Sequence, residues 1–120
     1  FEENYMILEV AVLKVKPHLT REFEEAFKEA EILLPLNSGY NSHELMRCIE
    51  CPSQYILLVS WETVRDHEIG FRESEHYKKW SKLLHHFYDP FPTVNHYDGV
   101  EEYNEELVMK LMELSHTERN

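Results

Sequence analysis

Residues 6–15, with the sequence MILEVAVLKV, form the apolar run that most restricts how this chain can fold. Successive side chains of a strand point to opposite faces, so Val10 and Ala11 lie on different faces, and only Glu9 and Lys14 interrupt the apolar pattern. A strand that is apolar on both faces is buried on both faces. The helices of a 120-residue chain cover one face of a small sheet. The second face therefore needs a partner, and the sequence predicts a homodimer.

The remaining chain alternates between helix and strand patterns. The first half is predicted to contain the strand at residues 6–15, a helix from Thr20 to Leu34 and a strand from Tyr40 to Glu50. A buried strand from Tyr55 to Val59, which ends at Trp61, follows. The second half continues with a short helix from Val64 to Ile69, a longer helix from Ser74 to Phe87 and a strand from Thr93 to Tyr97. Thr20, Thr63 and Ser74 are predicted N-caps, while Pro35 and Gly70 are predicted to end helices. This order, β-α-β-β-α-β with a split second helix, predicts a ferredoxin-like α+β domain over residues 6–100. Residues 101–116 are expected to add an amphipathic helix.

Composition and charge restrict the partners. The formal net charge of -11 predicts repulsion from nucleic acid and from anionic membrane surfaces. No apolar run approaches the length of about 20 residues that spans a bilayer. The N-terminal residues lack the pattern of a signal peptide. We therefore expect a cytoplasmic protein with no nucleic-acid partner and no membrane partner.

Cys48 and Cys51 form a C-x-x-C motif, which is typical of redox and zinc sites. A redox pair begins a helix, whereas Cys48 falls in the predicted second strand and Cys51 in the turn after it. A structural zinc site needs a second pair of ligands at a set spacing, and none follows. We expect a packed Cys48 and an exposed Cys51 in a reducing compartment.

The stretch from Tyr55 to Pro92 carries a recognisable order of motifs. An apolar strand ends in Trp61-Glu62, a short helix carries His67, Phe71-Arg72-Glu73-Ser74 opens a longer helix, and a final strand begins at Pro92. This order resembles the antibiotic biosynthesis monooxygenase domain family, over roughly residues 6–100. The resemblance implies a ferredoxin-like fold that pairs into a dimeric α/β barrel. The family includes oxygenases that use no metal, flavin or haem.

His67 is the predicted general base, and the alternative is a structural role in which its ring bonds a backbone carbonyl at the bend. It lies on the short helix after the buried strand, and a histidine titrates near neutral pH. Asp66 and Glu68 are expected to hold its tautomer, and Trp61 or Arg72 to donate to a developing anion. Arg72 has an alternative role in ion pairs with neighbouring glutamates, namely Glu68, Glu73 or Glu75. The predicted substrate-binding residues are Trp61, Phe71, Arg72, Trp80, His86, Phe87 and Tyr88. Of the adjacent His85 and His86, at most one faces inward, and His43 and His96 could face the same cavity.

Other chemistries are disfavoured. The chain contains no G-x-S-x-G elbow, no phosphate loop and no dinucleotide glycine pattern. Haem-degrading members of the family resemble a pattern whose counterparts here lie near Ala11, Gly70 and Trp80, and all three differ from it. We expect no cofactor and no metal. Two functions remain open: a cofactor-independent monooxygenase for a small aromatic or quinol-like compound, or a non-catalytic small-ligand-binding or isomerase-type protein on the same scaffold.

Overall fold

The structure is a computed structural model that describes residues 6–100 and residue 113. The helix predicted at residues 101–116 therefore lies outside the described residues, apart from Glu113. Within the described part of the chain, no helix is long and apolar enough to cross a bilayer.

One antiparallel sheet of four strands organises the domain. The strands are β1 (Ile7–Lys14), β2 (Tyr40–Arg47), β3 (Gln54–Trp61) and β4 (Val94–Tyr97), in the order β2-β3-β1-β4. The helices are α1 (Thr20–Ala30) and α2 (Glu75–Leu84), with a π-helical segment at Asp66–Phe71 and 3-10 turns at Pro17–Leu19, Glu31–Leu36 and His85–Phe87. This arrangement confirms the predicted ferredoxin-like α+β fold. The polar β2 lies at an edge of the sheet.

The core lies between one face of the sheet and the two α-helices. Alternate residues of β1 and β3 point into it, because strand side chains repeat every second residue. The core side chains include Ala11, Leu13, Val15, Phe23, Phe27, Ala30, Leu34, Tyr55, Leu57, Val59, Trp61, Trp80 and Leu84. Burial of each large apolar side chain contributes roughly 1.5–3 kcal/mol. Trp61 on β3 and Phe23 on α1 are fully buried, so the sheet and the helices each place a large aromatic side chain in this core.

The strand residues that do not point into the core lie on the opposite face of the sheet. Leu8 and Val12 on β1 are each 38% exposed, and Met46 and Tyr97 on the edge strands are more exposed. The chain's own helices leave this apolar face open, as the two-sided pattern of the first strand predicts.

The first helix differs from its prediction at both ends. Leu19 occupies the N-cap position without a side-chain hydrogen bond, and Thr20 is already helical. The α-helix ends at Ala30 and tightens into the 3-10 turn, which contains Pro35. Pro35 lacks an N–H but fits this turn because the turn is short and stops at the next residue.

The second strand is shorter than predicted. It ends at Arg47, and the backbone N–H of Cys48 instead donates to the carbonyl of Gln54 across the turn. Cys48 is half-buried and Cys51 is exposed, and both thiols are free.

The short helix after β3 is capped as predicted but does not stop at Gly70. Thr63 Oγ1 accepts a hydrogen bond from the backbone N–H of Asp66 at 3.1 Å. A glycine ends a helix when it adopts a positive φ, and Gly70 does not. The chain instead closes a wide turn in which the N–H of Arg72 donates to the carbonyl of His67 at 3.1 Å. Ser74 then caps α2 by accepting from the N–H of Tyr77, as predicted.

Gly39 allows β2 to start against this segment. Its φ is 86°, and a Cβ placed on it would lie 2.2 Å from the carboxylate of Asp66. Gly39→Ala is therefore expected to lower the free energy of unfolding by about 1–3 kcal/mol, measured by urea denaturation. Gly70→Ala is the matched control, because a Cβ there meets nothing within 4 Å. Equal stability of the two variants would contradict this account of Gly39.

Candidate functional site

A cavity of about 90 Å³ lies between the sheet and the helices, at the end of the core where the π-helical segment begins. We call it the site cavity. Its lining residues come from every layer of the domain: Glu9, Ala11, Leu13, Leu34, Leu57, Val59, His67, Phe71, Arg72, Tyr77, Trp80, His85, Tyr88, Phe91, Pro92 and Val94. Aromatic and aliphatic side chains dominate, and a few polar groups converge among them. This composition is typical of small-molecule sites.

Glu9 is a buried acid in the wall of this cavity. The alternation of β1 puts it on the helix-covered face with Ala11, and it is 6% exposed. It accepts a hydrogen bond from the indole N–H of Trp61 at 2.9 Å. Burial, which disfavours the charged form, raises the pKa of Glu9 to about 7. Glu9 therefore exchanges a proton near neutral pH.

His67 lies against this acid and is 3% exposed. Its Nε2 is 3.4 Å from Glu9 Oε1, and its Nδ1 is 2.8 Å from Nε2 of His96. The imidazole stacks on Trp61 with 5.6 Å between ring centroids. Burial lowers the pKa of His67 to about 3, assisted by the positive charge of Arg72 and by His96. The ring is therefore neutral at pH 7, with one N–H and one acceptor nitrogen.

The sheet register brings the third member of this cluster into place. Glu9 on β1 is directly opposite His96 on β4, which is half-buried. A neutral His67 can either donate from Nε2 to Glu9 and accept from His96, or accept from a protonated Glu9 and donate to His96. Glu9, His67 and His96 thus lie in a row, joined by the His67–His96 hydrogen bond and by the 3.4 Å contact between His67 and Glu9.

The prediction that Asp66 and Glu68 hold the tautomer of His67 is wrong. Asp66 instead accepts from the N–H and the hydroxyl of Thr63, at 3.1 Å and 2.9 Å. Glu68 is exposed, and no hydrogen bond or ion pair joins it to His67. In an α-helical or π-helical turn adjacent residues diverge around the axis, so neither neighbour of His67 can follow it into the core.

Arg72 lines the site cavity one π-turn after His67. Its charge lowers the pKa of Glu9 and of His85 and disfavours protonation of His67. The ion pairs predicted as its alternative role, with Glu68, Glu73 or Glu75, do not form. Within residues 6–100 and 113, Arg72 has no carboxylate partner. Glu75 pairs with Lys78 instead, at 3.1 Å.

The other predicted substrate-binding residues divide into two groups. Phe71, Trp80 and Tyr88 line the cavity with Arg72 and His67. Trp61 lies behind the cavity wall, where it bonds Glu9. Phe87 is a core residue, with its ring 5.7 Å from Phe23.

His86 was expected in the pocket, but its side chain is exposed and lies outside the cavity. His85 lines the cavity in its place, because consecutive residues of a 3-10 turn point about 120° apart. Burial lowers the pKa of His85, so its ring is neutral at pH 7. The expectation that at most one of the two histidines faces inward agrees with this arrangement.

Neither His43 nor His96 lines the site cavity: His96 lies behind His67, and His43 is on another side of the domain. It bonds Tyr40 and Glu31 at 2.7 Å each on the β2 side of the domain. Among the residues that the structure describes, no group of three or more His, Cys, Asp or Glu side chains is arranged to hold a metal ion.

Comparison with known proteins gives the family. Residues 6–83 match the sequence model of the antibiotic biosynthesis monooxygenase family. The chain is 47% identical over 95 residues to the uncharacterised Bacillus subtilis (strain 168) protein YczJ, across 79% of this chain and 100% of that relative. The chain therefore belongs to the antibiotic biosynthesis monooxygenase family.

Solved structures agree with this assignment. A Bordetella bronchiseptica protein described as a candidate antibiotic biosynthesis monooxygenase is 35% identical, with a TM-score of 0.77 over 81% of this chain and 99% of that one. A conserved protein from Methanosarcina mazei Go1, 24% identical, has a TM-score of 0.70 over 81% of this chain and 95% of that one. The second likeness supports the fold alone.

The shifted pKa values of Glu9 and His67 predict how stability depends on pH. Between pH 4.5 and about 7 the folded chain keeps a proton on Glu9 that the unfolded chain loses, so this contribution to the free energy of unfolding falls as pH rises. Between about pH 3 and 6.5 the unfolded chain binds a proton at His67 that the folded chain excludes, so that contribution rises with pH. The two slopes oppose each other where they overlap.

Replacing one of these two side chains should leave only the pH dependence of the free energy of unfolding that the other contributes. In Glu9→Gln, the free energy of unfolding relative to the native protein should increase by on the order of 3 kcal/mol from pH 4.5 to 7. Urea denaturation at a series of pH values measures this difference. Glu29→Gln, at an exposed position of α1, is the control and should give a constant difference. A constant difference for Glu9→Gln as well would show that Glu9 titrates normally.

Proposed function

We propose that the protein is a cofactor-independent monooxygenase acting on a small aromatic or quinol-like compound. The observation that carries this proposal is the buried Glu9–His67 pair in the wall of an aromatic cavity, beside Arg72, with which no carboxylate of residues 6–100 or 113 pairs. Such a site provides a proton acceptor, a donor for an oxyanion and shelter from water. These are the requirements for direct reaction of a phenolic anion with oxygen.

The proton acceptor is the pair rather than His67 alone. An imidazole with a pKa of about 3 is a weak base at pH 7, whereas the Glu9 carboxyl, with a pKa of about 7, is matched to that pH. Glu9 takes the hydroxyl proton of the substrate. His67 holds the carboxylate and passes the proton toward His96, which is half-buried and reaches solvent. The positively polarised edges of the aromatic lining face the substrate oxyanion, and Arg72 adds its positive charge to the site.

The electrons for this reaction come from the substrate. The phenolic anion gives one electron to oxygen, the two radicals combine at a ring carbon, and loss of water from the resulting hydroperoxide converts a C–H into a C=O. A phenol and one oxygen molecule thus give a quinone and one water. The four electrons that reduce oxygen all leave the ring, so no added reductant is needed.

Binding of a ring requires the cavity to widen. At about 90 Å³ it is smaller than a cavity of about 150 Å³ that holds benzene. Among the residues that line the cavity, Phe91 is the one whose side chain can most easily move aside. It is 61% exposed and lies in a stretch without regular secondary structure, where its ring contacts His85 and Tyr88.

We also propose that two copies associate through the open face of the sheet, giving the dimeric α/β barrel that the family resemblance implies. Leu8, Val10 and Val12 would be buried in this contact. The free thiols of Cys48 and Cys51 suit a reducing, cytoplasmic compartment.

The proposal is tested by oxygen uptake. The purified full chain, stripped of metal with a chelator, is assayed in an oxygen electrode against a panel of phenols, quinols and anthrone-type ketones. Uptake above the rate of the heat-denatured protein supports the proposal. No uptake with any member of the panel would contradict it.

A second candidate is isomerisation, since a carboxyl that titrates near pH 7 beside a neutral imidazole also suits proton transfer next to a carbonyl group. This reaction needs no oxygen. Deuterium exchange into a ketone under argon, lost in Glu9→Gln, would favour it over the monooxygenase.

A further inference from the structure

Arg72 is a cation in the wall of the site cavity that the described chain leaves unpaired. The bond from its backbone N–H to the carbonyl of His67 fixes the position of its Cα. Its side chain lines the cavity and is exposed at the mouth. Within residues 6–100 and 113 no carboxylate pairs with it, although Glu68, Glu73 and Glu75 are close in sequence.

The groups that face Arg72 do not supply a negative charge below about pH 7. The titratable groups around the cavity are Glu9 from β1, His67 from the π-helical segment, Tyr77 from α2, His85 and Tyr88 from the residues after it, and His96 from β4. Glu9 is protonated below a pKa of about 7, and burial keeps His67 and His85 neutral and raises the pKa of Tyr88. The site therefore carries a local positive charge, within a chain of net charge -11.

We propose that the ligand of this cavity is an aromatic carboxylate whose carboxylate group pairs with Arg72. This inference rests on the proposed function and names its substrate class, a hydroxylated aromatic acid. A guanidinium presents two parallel N–H donors that match the two oxygens of a carboxylate.

The charge balance favours a carboxylate over a phosphate ester. One guanidinium neutralises one negative charge, whereas a phosphate ester carries about -1.5 to -2 at pH 7. The excess would remain in a partly buried site beside Glu9, where an unpaired charge is costly. The negative net charge of the chain adds no attraction for either anion, so preference must come from Arg72.

Binding to the full chain tests the inference with three probes that share a phenyl ring: benzoate, the neutral and isosteric benzamide, and phenyl phosphate. Quenching of tryptophan fluorescence reports binding, because Trp80 lines the cavity. At pH 6.5 benzoate should bind at least about tenfold more tightly than benzamide, the usual gain from a charged hydrogen bond. Raising the pH through 7 should weaken benzoate binding and leave benzamide unchanged, because Glu9 then becomes negative.

Two arginine variants separate the local effect from the overall charge. Arg72→Gln should remove the preference for benzoate over benzamide, and Arg72→Lys should keep part of it. Arg65→Gln makes the same change in net charge at an exposed position outside the cavity, and should keep the full preference.

Equal binding of benzoate and benzamide, no benzoate binding at about 10 mM, or an unchanged preference in Arg72→Gln would each overturn the inference. Tighter binding of phenyl phosphate would overturn it in favour of a phosphorylated ligand. Oxygen uptake distinguishes this failure from that of the proposed function. Turnover of neutral quinols without a carboxylate preference removes only the inference, whereas carboxylate binding without uptake on hydroxybenzoates removes only the monooxygenase.

Discussion

Glu9→Gln is expected to lower oxygen uptake on an accepted quinol by about 10²–10⁴, the range for loss of a general base. Glutamine has nearly the same shape and can still accept the indole N–H of Trp61, which now reaches Glu9 at 2.9 Å. It cannot take a proton from a substrate. Glu29→Gln, at an exposed position of α1, is the matched control and should retain full activity.

His67→Gln should cause a loss in the same range, since the proton leaves Glu9 through His67. The two residues act as one unit, so the double variant should be no slower than the slower single variant. Multiplicative losses would show that they act independently. If Glu9→Gln keeps native turnover, the assignment of the proton acceptor is wrong, and if His67→Gln loses stability alone, His67 is structural.

Val10→Lys is expected to break the proposed homodimer or to unfold the chain. Val10 lies in the middle of β1 on the open, apolar face of the sheet. A lysine there would be buried without a partner when the two faces meet, at a cost of several kcal/mol. Light scattering at micromolar concentration should give about twice the chain mass of 14.5 kDa for the native protein.

Ile49→Lys is the control for this change, because Ile49 is 90% exposed and lies outside the sheet. It should leave the mass unchanged. A monomeric native chain, or a Val10→Lys variant that stays dimeric, would contradict the proposed interface.

Periodicity was enough to predict the fold. The apolar runs at residues 6–15 and 55–59 and the helical spacing of Trp80, Leu84 and Phe87 depend on burial, which tertiary structure preserves. Element ends were predicted less well. A glycine at position 70 predicts the end of a helix. The chain instead continues through Gly70 in a π-helical turn, because the contacts of His67 and Phe71 with the core determine the local backbone conformation.

The site was predicted in part. His67 was recognisable as a titratable group after a buried strand, but Glu9 looked like an interruption of an apolar run. Its place opposite His96 depends on the pairing of β1 with β4, which joins residues far apart in sequence. An acid on the covered face of a central strand was the available signal, because burial of an unpaired carboxylate is costly.

The choice between His85 and His86 needed the exact rotation of the last helical turn. Their sequence neighbourhood is the same, and only the orientation of that turn decides which ring reaches the cavity.

The stoichiometry of oxygen uptake by the metal-stripped protein tests the central claim most directly. With an accepted quinol, the monooxygenase account predicts one oxygen molecule consumed for each hydroxyquinone formed, one oxygen atom entering the ring and the second leaving as water. Catalase added at the end should therefore return no oxygen. Release of oxygen on adding catalase would mean that the protein produces hydrogen peroxide, and together with a rate unaffected by Glu9→Gln it would contradict the account.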